Sequence, residues 1–158
     1  MMAPAGTTIE TERGIFRSPI LGAARMFTVA VSRDFVAQHV LTAGSGGPEH
    51  VWHSHSYRIE VSLEGGALDE SGYLVDITEI ESRLDVLVSR YRDRTLNELP
   101  ELAGLNPSLE HVARAACVAL AAELDAPNLR ALTVKLWESP SAWASYRLER
   151  PESTDLKG

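Results

Sequence analysis

Three of the five histidines lie close together in the chain: His39, and the pair formed by His53 and His55. Residues two apart on a β-strand point to the same face, so His53 and His55 project together if they lie on a strand. A glycine-rich segment at residues 44–48 separates them from His39, which faces the pair if that segment connects antiparallel neighbours. Three neutral imidazoles on rigid strands form a catalytic type of zinc site with a fourth position open.

The pattern therefore predicts a metal centre. The alternative is that these histidines are ordinary surface residues of a strand. Zinc is favoured because no carboxylate is needed to complete the ligand set, while other metals that bind imidazole stay open. The remaining histidines, His50 and His111, are interpreted as solvent-facing or helix-surface residues rather than ligands. Cys117, the single cysteine, lies in an apolar helical stretch and is interpreted as a small buried hydrophobe.

The elements that must position these residues follow from the hydrophobic periods. Alternating apolar residues predict strands from Met26 toward His39 and over 57–63, 73–77, 132–136 and 143–148. Helical spacing predicts one helix over 78–91, with Thr78 and Glu81 as a capping box, and a second over about 107–124, capped by Asn106. Helices segregated from hairpin-linked strands indicate an α+β fold with a largely antiparallel sheet.

Length and composition set the broader limits. The 158 residues suggest one domain over 26–150, with a flexible N-terminal extension at 1–25 and a polar tail at 151–158. A net charge of −7 argues against a nucleic-acid partner, and a single cysteine fits a reducing compartment. Because no apolar run approaches the roughly 18 residues that a membrane span needs, we expect a cytoplasmic protein without membrane contact.

Several short segments are similar to a known enzyme family. Residues 53–57 resemble the His-Gly-His-Asn-Tyr segment of the 6-pyruvoyltetrahydropterin and 6-carboxytetrahydropterin synthases, with Ser54 and Ser56 as departures. Further matches follow in the family's order, at 72–76, 96–98, 106–110 and 136–139. The resemblance extends from Met26 to about Leu148.

This resemblance implies a tunnelling fold: a four-stranded antiparallel sheet with two helices on one face, joined into an oligomeric barrel, usually a homo-hexamer with sites between subunits. It implies zinc bound by His39, His53 and His55, and a pterin-like substrate. Glu138 is expected to anchor the aminopyrimidine edge through two parallel N–H bonds, and Ser108 to contact the substrate. The alternative for Glu138 is an exposed carboxylate at a strand end.

Two departures from the family concern the catalytic groups. Lyase members carry a cysteine four to six residues before the His-x-His pair, where this chain has Glu49. One branch has glutamate there and cleaves the side chain of dihydroneopterin in an aldolase-like step, so Glu49 is the first candidate for a general base. The family's Asp-His pair falls on Arg92 and Asp93; Asp93 as a base and His50 as a replacement imidazole are further candidates, and a solvated helix terminus is the alternative.

Two functions therefore stay open. The first is a zinc-dependent pterin lyase or aldolase, which Glu49 favours. The second is a non-catalytic or redirected family member that binds zinc and a pterin-like heterocycle, which the missing histidine favours.

Overall fold

The computed structural model describes residues 25–150, so most of the expected extension and all of the expected tail lie outside it. The elements are β1 (Phe27–His39), β2 (His53–Gly65), α1 (Ile77–Tyr91), α2 (Leu109–Glu123), β3 (Ala131–Ser139) and β4 (Ala142–Glu149). The four strands form one antiparallel sheet in the order β1-β2-β3-β4. The predicted α+β class and the four-stranded sheet with two helices are confirmed.

The sheet has one apolar and one polar face because its residues alternate in type along each strand. Phe35 on β1, and Tyr57 and Ile59 on β2, belong to the core that both helices cover. The opposite face carries charged side chains, including the ion pair between Arg58 and Asp34. Within residues 25–150, neither helix is long and apolar enough to cross a membrane.

The predicted third strand at 73–77 and the predicted start of the first helix are both wrong. Asp69 accepts hydrogen bonds through Oδ1 from the backbone N–H groups of Ser71 and Tyr73, which folds the segment into a turn. Asp76 then caps α1 by accepting from the N–H and hydroxyl of Thr78, so the helix begins at Ile77. Short acidic side chains satisfied the backbone locally and prevented an extended strand.

The second helix also begins later than predicted, because a different residue caps it. Ser108 rather than Asn106 is the N-cap, and its side chain accepts from the backbone N–H of His111. The Asn106 side chain is used elsewhere: its Oδ1 accepts from the backbone N–H of Thr42 at 2.8 Å. A long-range contact therefore took the side chain that local spacing had assigned to the cap.

The pairing of β1 with β2 sets the position of the histidines. His39 lies directly opposite His53, and Ala37 opposite His55. The histidines occupy the same alternating positions as Phe35 and Tyr57, so they continue the apolar face of the sheet toward the glycine-rich connection.

We expect Gly65→Ala to destabilise the fold. An added Cβ would collide with the backbone oxygen of Asn128 and lie 2.5 Å from Leu74 Cδ1, and backbone cannot yield as a side chain does. The expected loss in the free energy of unfolding is about 1–3 kcal/mol, measured by urea denaturation. Gly66→Ala is the matched control, because its Cβ would meet no atom closer than 3.4 Å. Equal stability of the two variants would contradict the prediction.

Candidate metal centre

Four potential ligands converge at the end of the β1–β2 hairpin. His39, Glu49, His53 and His55 each offer one ligand atom, and these atoms all lie within 4.8 Å of one another. The imidazole centroids are 4.6 to 5.2 Å apart. His39 is only 2% exposed, whereas Glu49 closes the cluster from the solvent side with a half-exposed side chain. The structure thus brings together the three histidines that the sequence singled out and adds Glu49.

Two backbone carbonyls fix the protonation of two of the rings. His39 Nδ1 lies 2.9 Å from the Pro107 oxygen, and His53 Nδ1 lies 2.6 Å from the Val51 oxygen. A carbonyl oxygen only accepts, so each Nδ1 carries the proton and each neutral ring keeps a lone pair on Nε2. Metal-binding histidines are typically oriented in this way.

The free lone pairs face one another. His39 Nε2 and His53 Nε2 are 2.9 Å apart, and a carboxylate oxygen of Glu49 lies 2.8 Å from His53 Nε2. The buried Nε2 of His55 has no hydrogen-bond partner within the part of the chain described. Acceptors held this close repel unless a cation lies between them. The residues present therefore fit a divalent ion, and three imidazoles with a carboxylate suit zinc.

Burial keeps the most deeply placed ring neutral. Desolvation lowers the pKa of His39 below its ordinary value, and the neighbouring His53 and His55 lower it further, against the opposing effects of the Pro107 carbonyl and Glu138. A neutral imidazole is the form that binds a metal. The electrostatics of the pocket thus favour the ligand state of His39.

Three groups that orient the site were not identified from the sequence. The carbonyls of Pro107 and Val51 hold two rings, and Asn97 holds the backbone next to His39. Asn97 accepts from the N–H of Val40 at 3.0 Å and donates to its carbonyl at 2.9 Å. The signals in the sequence were the matches of residues 96–98 and 106–110 to family motifs, which carried no geometry.

The other two predicted catalytic residues, His50 and Asp93, are not part of this cluster. The His50 ring packs beside the Gly44 turn, where an added Cβ would be 3.3 Å from its Nε2. Asp93 occupies an exposed turn at φ 57°, and its backbone N–H donates to Val36 three residues before His39. Neither side chain is among the converging ligand groups.

Glu138 lies beside the imidazole of His55. Its carboxylate is 4.0 Å from His55 Nε2, its only ion-pair contact within residues 25–150. The pairing of β3 with β4 is irregular between Trp137 and Ser139. These two residues and Glu138 line a cavity of about 800 Å³ that Asp34 and Arg58 also line, so the cavity lies on the polar face of the sheet. Glu138 therefore borders both the candidate metal centre and a cavity, whereas Ser108 serves as the cap of α2.

Tyr57 lies beneath these groups in the core. Its ring centroid is 5.5 Å from that of His55 and 6.2 Å from that of His39. Its hydroxyl is buried and has no hydrogen-bond partner among the described residues. Burial first, then the charges of Glu138 and Glu49, raise the pKa of Tyr57 well above its ordinary value.

A four-stranded antiparallel sheet covered by two helices is the subunit arrangement of the tunnelling fold. Residues 28–149 match the sequence profile of the 6-pyruvoyl tetrahydropterin synthase family, and the chain belongs to that family. No curated protein matches the chain in sequence.

Solved structures show the same fold at low sequence identity. The Caenorhabditis elegans 6-pyruvoyl tetrahydropterin synthase has a TM-score of 0.70 and 20% identity, over 79% of this chain and 97% of that chain. The Plasmodium vivax 6-pyruvoyltetrahydropterin synthase has a TM-score of 0.68 and 17% identity, over 80% and 99%. Two further structures are of variants of the Plasmodium vivax enzyme in which a catalytic glutamate is replaced by cysteine or alanine.

We expect the protein purified without chelator to carry about one zinc ion per chain. His53→Ala removes a central ligand, so its metal content should fall to background, and added zinc should no longer raise its Tm. His50→Ala is the matched control, because it removes an imidazole three residues away that lies outside the cluster. Metal analysis and thermal unfolding with and without EDTA measure both effects; equal zinc in the two variants would refute the site.

Proposed function

We propose that this protein is a zinc-dependent lyase that cleaves the side chain of a dihydroneopterin-type substrate. The observation that carries the proposal is the placement of two carboxylates beside the imidazole cluster, each against a different histidine. Glu49 lies 2.8 Å from His53 Nε2, and Glu138 lies 4.0 Å from His55 Nε2. Enzymes of the family are lyases that bind pterins, which supports the choice of substrate class.

The metal would be held by His39, His53 and His55. When bound, zinc supplies a Lewis acid that polarises hydroxyl oxygens and lowers their pKa. Glu49 belongs to the cluster, but its side chain is half exposed. Its carboxylate is already in contact with solvent, so it can move away from the metal without a large change in solvation. We therefore assign Glu49 as the proton acceptor rather than as an obligatory ligand.

Glu138 is assigned to the aminopyrimidine edge of the pterin. A carboxylate accepts two parallel N–H bonds from such an edge, and no Arg or Lys within residues 25–150 forms an ion pair with Glu138. A separation of 4.0 Å leaves no room for a ring between this carboxylate and His55. Binding of a ring in that gap therefore requires the Glu138 carboxylate to move away from His55.

The chemical step is a retro-aldol cleavage. Glu49 removes the proton from the second side-chain hydroxyl, that oxygen becomes a carbonyl, and the bond between the first and second side-chain carbons breaks. The electron pair passes into the dihydropterin ring and is then protonated on the first side-chain carbon. The products are 6-hydroxymethyl-dihydropterin and glycolaldehyde, and no oxidant or reductant is consumed. A catalytic glutamate in the Plasmodium vivax relative supports a carboxylate base in this fold.

One observation favours a second function, binding without catalysis. The family's Asp-His pair corresponds to Arg92 and Asp93, and the exposed Asp93 lies outside the cluster. If a second group must return the proton, the single chain does not supply it from that position. The non-catalytic alternative predicts zinc and pterin binding with no product.

Incubation of the zinc-loaded protein with 7,8-dihydroneopterin tests the proposal, with products separated by chromatography. We expect 6-hydroxymethyl-dihydropterin from the wild type. Glu49→Ala should retain its zinc, because three imidazoles remain, but lose about 100-fold or more in kcat, because the base is gone.

Separate incubation with dihydroneopterin triphosphate tests elimination instead of cleavage. Turnover of neither substrate would rule out the lyase proposal for these compounds. Full activity of Glu49→Ala would refute the assignment of Glu49 as the base but would leave the proposed substrate unchanged.

We also propose that the protein assembles as a homo-hexamer, as its resemblance to the family implies. The end of β1 is already covered, because Gln38 donates to the Arg94 carbonyl and Asp93 donates to Val36. In the part of the chain described, β4 pairs with β3 alone, so its outer edge is open to another chain. Open strand edges are usually protected or paired.

Sedimentation should therefore give a mass about six times the 17.3 kDa of the chain. The measurement uses the full-length, zinc-loaded protein across a range of concentrations. A monomer at all concentrations would contradict both the hexamer and a site shared between subunits.

A further inference from the structure

The end of β1 that carries His39 is bordered by a neighbouring segment, and an asparagine side chain completes that border. The backbone N–H of Gln38 donates to the Arg94 carbonyl at 3.0 Å. Two residues on, both backbone groups of Val40 bond to the side chain of Asn97, at 3.0 Å for the N–H and 2.9 Å for the carbonyl. A side-chain amide offers the same donor and acceptor as a peptide group. Asn97 therefore continues the pairing of β1 where its neighbour turns into a 3₁₀ helix.

Residues 40–42, which follow His39 directly, have all three of their backbone N–H groups bonded to other segments. The first N–H is bound by Asn97, the second donates to the carbonyl of Glu49 at 2.9 Å, and the third donates to Asn106 Oδ1 at 2.8 Å. This short segment thus joins a predicted metal ligand to the proposed base. An asparagine binds it on each side of the contact with Glu49.

Asn106 is connected to His39 by a second route. The next residue, Pro107, accepts from His39 Nδ1 at 2.9 Å. The Asn106 carbonyl accepts from the ring of His111 at 2.6 Å and from the backbone N–H of Ser108 at 2.8 Å, which fixes the turn before α2. One turn therefore holds the His39 ring through a carbonyl and the backbone after His39 through the Asn106 side chain.

A metal ligand must be fixed in its main-chain position as well as in its ring orientation. His39 forms the last pair of the β1–β2 ladder, so that ladder does not hold the residues that follow. We propose that Asn97 and Asn106 are positioning residues of the metal centre. They fix residues 40–42 and, through them, the zinc ligand His39 and the base Glu49. This inference rests on the proposed zinc-dependent function, and its metal-binding part does not require catalysis.

The two asparagines make different bonds, so aspartate should replace only one of them. Within residues 25–150, the Asn106 side chain bonds only through Oδ1, which accepts from the N–H and the hydroxyl of Thr42. Asn106→Asp keeps this acceptor. Asn97 also donates to the Val40 carbonyl, so Asn97→Asp removes that donor and places a carboxylate oxygen against the carbonyl. We expect Asn106→Asp to behave like the wild type and Asn97→Asp to behave like Asn97→Ala.

The test measures the zinc affinity of the full-length protein by competition with a chromophoric chelator. Asn97→Ala, Asn97→Asp and Asn106→Ala should bind zinc about tenfold more weakly than the wild type, because groups that orient metal ligands contribute to affinity on this scale. With Co²⁺ in place of zinc, the visible spectrum reports the coordination geometry and should change in the same three variants. Asn106→Asp should match the wild type in both measurements.

Asp69→Ala is the matched control for a purely structural effect. Asp69 also makes two side-chain bonds to the backbone, accepting from the N–H groups of Ser71 and Tyr73 at 2.9 Å each. Its turn follows the end of β2 that is farthest from His53. The variant should lower the Tm of the metal-free protein and leave the zinc affinity within about twofold of the wild type.

The outcomes separate positioning from stability and from catalysis. If both asparagine-to-alanine variants lose Tm without metal but bind zinc as tightly as Asp69→Ala, their role is structural and the inference is refuted. Zinc binding by Asn106→Asp as weak as that of Asn106→Ala would refute the role of the Asn106 acceptor. At saturating zinc, kcat should fall in the three weakened variants, because the backbone of Glu49 has lost its fixed partner; an unchanged kcat would refute the link to Glu49.

Failure of the proposed function would be visible separately. If the wild type binds zinc but turns over neither pterin substrate, the lyase proposal and the link to Glu49 fail, while the zinc affinities still decide whether the asparagines position His39. If the wild type binds no zinc, the metal centre and this inference are both refuted.

Discussion

The positions of two protons determine what this site can bind. The carbonyls of Pro107 and Val51 hold the Nδ1 protons of His39 and His53, so both Nε2 lone pairs point inward, 2.9 Å apart. Such an arrangement is repulsive unless a cation is present, and burial of His39 disfavours a proton as that cation. The loops that carry those carbonyls are thus as important to the centre as the ligands, which explains why Asn97 binds both backbone groups of the residue after His39.

The same alternation that builds the core also delivers the ligands. Along β1, the inward positions run from Phe35 through Ala37 to His39, and along β2 they run from Tyr57 through His55 to His53. Apolar side chains give way to imidazoles toward the loop that connects the two strands, so the metal centre is an extension of the core's own face. A one-residue slip in register would turn core and ligands to solvent together. Stability and metal binding therefore depend on one pairing.

The residues that match the family and the residues that depart from it lie in different parts of the site. The groups that would hold a metal converge as a complete set, and the departures concern the groups that would move a proton: Glu49 beside the cluster, and Arg92 with Asp93 away from it. In the proposed reaction, metal binding and proton transfer would therefore depend on different residues. Glu138 lies beside the cluster, with its carboxylate 4.0 Å from His55 Nε2.

Local periodicity in the sequence predicted the four observed strands, both helices and the shared face of His53 and His55, because alternation and helical spacing depend on near neighbours. It also predicted a strand at 73–77 that the structure lacks within the described residues. The local pattern did not decide between competing caps: Asp76 caps α1 in place of Thr78, and Ser108 caps α2 in place of Asn106, whose side chain accepts from the N–H of Thr42, 64 residues away. Nor did it locate the Pro107 carbonyl, 68 residues from His39, or leave a trace of the unpartnered Tyr57 hydroxyl. Those features arise from packing between segments that are far apart in the sequence. The spacing of residues along the chain does not show which of these segments come into contact.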